Sequence, residues 1–119
     1  MNTTLNYEEL FNVYAEWHDA CEDFYNAKVA RKKISYTPCR DNEFIANITK
    51  AEKVKIEAYY RMEKKEQTLN ATCNVCRLNF DSVVKVMNSI YRWYERTKWQ
   101  HYIHINNYPQ IYELMKREN

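Results

Sequence analysis

The chain of 119 residues has room for one domain. It contains no glycine and only two prolines, which excludes every motif that needs glycine at a fixed place: Walker A loops, dinucleotide-binding turns, nucleophile elbows, EF-hand loops and collagen repeats. With 45% apolar and 29% charged side chains it is too apolar for disorder and too charged for membrane spans, and its net charge of +2 conceals a division in which residues 1–27 carry six acidic and no basic side chains while residues 28–65 carry eleven basic and five acidic.

Asn6 and Glu9 form a capping-box pattern, so a first helix is expected to begin near Tyr7. Leu10, Tyr14, Trp17, Cys21 and Phe24 follow at spacings of four, three, four and three, the stripe of an amphipathic helix, and Arg31, Lys32 and Lys33 suit the negative end of its dipole. Pro38 disfavours helix at Thr37 and ends the pattern. A second helix is expected to start between Pro38 and Asp41 and to run to about Lys65, with Phe44, Ile45, Ile48, Ala51, Val54, Ala58, Tyr59 and Met62 inward. Gln67 to Thr72 reads as a connector, with Asn70 or Thr72 as N-cap of a third helix whose stripe is Cys73, Cys76, Phe80, Val83, Met87, Ile90 and Tyr94. His101 to Ile105 reads as a helix end or a short strand, and Pro109 opens a short terminal helix through Lys116. The expected architecture is all-α: a three-helix bundle with a short fourth C-terminal helix, residues 1–119 forming a single domain.

Two patterns bear on chemistry. Cys73-x2-Cys76 with His18-x2-Cys21 offers four soft ligands suited to tetrahedral zinc. Cys21, Cys73 and Cys76 also fall on the core stripes, where cysteine packs as a small hydrophobe, so the leading expectation is buried thiols and no cofactor, with zinc and a disulfide as alternatives. The second pattern runs from Tyr91 to Tyr108, where aromatic rings alternate with cations. Arg92, Trp93, Arg96, Lys98, Trp99 and Tyr102 are its candidate partner-binding residues, because Trp, Tyr and Arg are enriched at interface hot spots. The same mixture of rings and cations also suits single-stranded nucleic acid, and part of it suits packing against the terminal helix. Catalysis has little to stand on: the three serines lack a nucleophile context, and neither His101 nor His104 lies next to a carboxylate partner. No basic-then-apolar leader is present, so a cytoplasmic location in the producing cell is expected, and no apolar run approaches the ~20 residues of a membrane span.

The order of Lys28-Val-Ala-Arg-Lys-Lys33, Tyr36-x-Pro38-Cys39, an amphipathic helix ending in Tyr59-Tyr60-Arg-Met62, and Thr72-Cys73-x2-Cys76 opening a long helix resembles small helical C-x2-C proteins encoded by tailed bacteriophages, over roughly residues 24–94. The resemblance carries no functional residue across. It implies a phage product that acts by binding: a virion or assembly component, or an inhibitor or adaptor for a host protein. The expectation is therefore a non-catalytic helical interaction protein with protein partners from the virion or host, able to form a homo-oligomer. The alternative is a small nucleic-acid-binding regulator, zinc-stabilised, using the basic second helix and the region from Arg92 to His104.

Overall fold

The structure is a computed structural model that describes residues 7–97 and 110–117. The described residues are all-α, with helices α1 (Tyr7–Ser35), α2 (Asn42–Val75), α3 (Phe80–Thr97) and α4 (Gln110–Met115) and one isolated antiparallel bridge between Leu78 and Lys116. The region from His101 to Ile105, which reads as a helix end or a short strand, lies outside the described residues.

Local chemistry accounts for the helix ends. Glu8 and Glu9 occupy the first turn of α1, and Lys32 and Lys33 its last, each opposite in sign to the local end of the dipole. The Ser35 hydroxyl donates to the Lys32 carbonyl (2.6 Å) where α1 stops. Asp41 then caps α2, its Oδ1 accepting the Phe44 N–H at 2.9 Å, and Asn79 caps α3 in the same way from the Ser82 N–H at 3.0 Å.

The structure corrects the boundary between the second and third helices. Residues 67–72 are helical, and α2 continues to Val75. The segment holds neither proline nor glycine, Leu69 is fully buried, and the Thr72 hydroxyl, expected to cap a new helix, donates instead to the Thr68 carbonyl one turn back at 2.9 Å. Cys73 therefore closes the stripe of α2, and α3 begins only at Phe80.

Between them lies a turn that normally calls for glycine. The Leu78 N–H reaches the Cys73 carbonyl (2.8 Å) and the Arg77 N–H the Asn74 carbonyl (3.3 Å), the paired bonds of a Schellman motif. Arg77 occupies the left-handed position with φ 58°. The end of the chain holds it there: the Asn79 N–H donates to the Met115 carbonyl, the Arg117 N–H to the Arg77 carbonyl, and Arg117 Nη2 to Asn74 Oδ1.

Contacts divide the chain into two compact units, Glu16–Glu66 and the described parts of Met1–Ala15 with Gln67–Asn119. The unit containing both chain ends has a conventional core. Leu10, Phe11 and Tyr14 of α1 are buried with Leu69 and Cys73 of α2, with Leu78, with Val83, Met87 and Ile90 of α3, and with Met115 of α4. Tyr91 stacks on Phe11 (centroids 6.2 Å apart) and meets Tyr14 edge-on (6.3 Å). Side chains of this size contribute roughly 1.5–3 kcal/mol each on burial.

Left-handed φ costs a non-glycine residue about 1–2 kcal/mol. Arg77→Gly is therefore expected to raise the unfolding free energy by about 1 kcal/mol, seen as a higher urea midpoint; an unchanged or lower midpoint would mean that the Arg77 side chain contributes more than its backbone costs.

Candidate interaction surface

The unit Glu16–Glu66 is an antiparallel pair, residues 16–35 of α1 against 42–66 of α2. Three cross-helix contacts share one register: Glu16 with Lys65 (3.3 Å), Phe24 edge-on to Tyr59 (5.4 Å), and Arg31 with Glu52. Alanines fill the seam. Ala20, Ala27 and Ala58 are this unit's buried hydrophobic residues, Ala20 and Ala27 being seven apart on α1, with Ala51 half-buried seven before Ala58 on α2. Small side chains bring helices close but remove little apolar surface from water.

Several large side chains of α2 remain exposed. Ile45, Val54, Ile56, Tyr59 and Tyr60 are 56, 47, 44, 40 and 64% exposed, and Ile48 is half-buried. Ile45, Ile48, Glu52, Ile56 and Tyr59, at spacings of three, four, four and three, form one stripe beside the seam. Part of it lines an open groove of about 670 Å³ with Arg31, Ile48, Thr49, Glu52, Ile56 and Tyr60 on its walls. Glu52 is the one carboxylate in the stripe. Burial alone would raise its pKa, yet hydrogen bonds and charge from Lys55 and Arg31 outweigh that and hold the carboxyl below its ordinary value, so the stripe carries a neutralised ion pair.

The spacing predicts Phe44, Ile45, Ile48, Ala51, Val54, Ala58, Tyr59 and Met62 inward; of these only Ala58 is buried, Phe44, Ile48, Ala51 and Met62 are half-buried, and Ile45, Val54 and Tyr59 are exposed. The apolar arc of α2 is wider than one partner helix covers, and its two halves separate into an alanine seam and an isoleucine–tyrosine stripe.

Of the aromatic and basic set, Arg92 is exposed on α3. Trp93 and Arg96 belong to the later turns of the same helix, and Lys98, Trp99 and Tyr102 lie outside the described residues. The proposed zinc ligands are divided between units: Cys73 and Cys76 in one, His18 and Cys21 in the other. Burial pushes all three of these thiols up. Cys73 rises to about 11, Cys21 rises with a further push from Glu66, and Cys76 with one from Glu9. Thiols raised in this way are protonated at ordinary pH and so are poor nucleophiles. Among the described residues, the His, Cys, Asp or Glu group whose ligand atoms lie within 4.8 Å of one another is His18, Asp19 and Glu22 on α1. Three such donors on adjacent turns are what an acidic helix face presents with or without an ion.

No helix among the described residues is long and apolar enough to cross a membrane. No protein-family model, curated protein or solved structure matches the chain.

The raised thiol of Cys73 has a signed consequence for stability. Below about pH 9 it is protonated folded and unfolded and contributes no pH dependence; from there through about 11 only the unfolded chain ionises, so stability falls as pH rises. The urea midpoint is expected to drop more between pH 8 and 10.5 for the wild type than for Cys73→Ala, and equal drops would show that the site does not hold its proton.

Proposed function

We propose that the chain is a non-catalytic helical interaction module. The observation that carries this reading is the contrast between the alanine seam of the unit Glu16–Glu66 and the half-exposed isoleucines and tyrosines beside it. Covering a half-exposed isoleucine or tyrosine contributes roughly 1 kcal/mol at ~25 cal/mol per Å², so four or five along one stripe make a contact worth forming. Tyrosine adds a ring and a hydroxyl suited to an interface that is apolar at its centre and wet at its rim.

The finer architecture expected from the sequence belongs to this reading: a single domain in which three helices form a bundle closed by a short fourth. So does the resemblance to small helical C-x2-C phage proteins, under which the module is a virion structural or assembly component, present in the cytoplasm of the producing cell or in the particle, with virion or host proteins as partners. Arg92, with Trp93, Arg96, Lys98, Trp99 and Tyr102, forms a second contact region in this proposal, supported by the exposure of Arg92 on α3.

Affinity purification of the full chain from the producing host or particle, followed by mass spectrometry, tests the reading. A protein partner in fixed stoichiometry is expected, lost from Ile56→Glu, whose new charge sits in the stripe. Recovery of nucleic acid alone, released steeply by salt, would overturn it in favour of the nucleic-acid regulator.

A further inference from the structure

The charge of the unit Glu16–Glu66 is distributed so that it complements itself. The register of Glu16 with Lys65, Phe24 with Tyr59 and Arg31 with Glu52 sets Lys28 level with Lys55. On the loop side of that level, residues 28–55 carry eight basic and three acidic side chains, a net +5. On the other side, residues 16–27 and 56–66 carry seven acidic and three basic, a net −4. The apolar stripe crosses from one half to the other, with Ile45 and Ile48 in the basic half and Ile56, Tyr59 and Tyr60 in the acidic half.

The same surface turned end for end answers both its shape and its field. We infer that the α2 stripe docks a second copy of this chain, antiparallel, about a two-fold axis near Glu52. This names the partner of the interaction surface and rests on that reading. The axis sets Ile48 of one copy opposite Ile56 of the other and Ile45 opposite Tyr59, while each basic half lies along an acidic half. Glu52, already held by Arg31 and Lys55 in its own copy, approaches its symmetry mate as a compensated charge. A parallel arrangement would set +5 against +5 and −4 against −4, a like-charge juxtaposition that disfavours it. Nucleic acid would answer only the basic half and leave the acidic half facing phosphate.

Sedimentation equilibrium of the full chain at concentrations up to about 100 µM is the first arm. A reversible dimer is expected, weakened at least tenfold by Ile56→Glu and again at least tenfold between about 0.05 and 0.5 M salt. Ile45→Glu, at the other end of the stripe, serves if Ile56→Glu loses its helical circular dichroism. The second arm fixes direction: in a Cys39→Ser background, an equimolar mixture of Ile48→Cys and Ile56→Cys is expected to yield a disulfide-linked heterodimer under mild oxidation, with little linkage in either alone. Linkage of each variant to itself instead would mean a parallel pair and overturn the proposal. A strictly monomeric wild type would also overturn it, and would leave the broader interaction reading standing if Ile56→Glu still lost a different protein partner.

Discussion

The antiparallel pairing of α1 and α2 around the buried Ala20, Ala27 and Ala58 is the constraint on which the unit Glu16–Glu66 turns. Alanine at these positions leaves the pair little buried apolar surface of its own, and the large contact across it is Phe24 edge-on to Tyr59. Ile45, Ile56 and Tyr60 of α2 remain exposed beside the seam, and Tyr59 stays partly exposed while it meets Phe24. The unit holding the chain ends is built on the opposite plan, its described core filled by leucine, phenylalanine, methionine and valine from four helices.

Electrostatics does not make up the difference. Arg31 with Glu52 and Lys65 with Glu16 join partly exposed side chains, and water screens such pairs so that they add little stability. Their role is better described as setting register, since both lie in the same antiparallel alignment as the Phe24 and Tyr59 rings. Register in turn determines which charges share a level, and so converts the uneven charge along the sequence into a basic half and an acidic half of one helical pair. In the proposed dimer, direction follows from that field and attraction from the apolar stripe.

Much of the fold was legible before any coordinates. The all-α class, the start of α1 near Tyr7, the break around Pro38 and the short terminal helix follow from capping residues, dipole charges and three-to-four spacing, which are local properties. The break between α2 and α3 was misplaced because Asn70 and Thr72 have the chemistry of caps, and only the burial of Leu69 and the bond from Thr72 to Thr68 show that the helix runs on. The true stop depends on Arg77 in a left-handed turn, and a chain without glycine gives no sequence mark for it. At the interaction surface the residue types were visible and their faces were not. Periodicity finds apolar positions but does not say how many partner helices share them, so the seam and stripe of α2 read as a single inward face.

Concentration-dependent amide hydrogen exchange on the intact chain tests most directly whether association covers the α2 stripe of the unit Glu16–Glu66. Protection across α2 from residue 45 to 60 should rise with protein concentration while that of Val83 to Ile90 in α3 stays constant. Protection that is equal in the two regions and independent of concentration would contradict it.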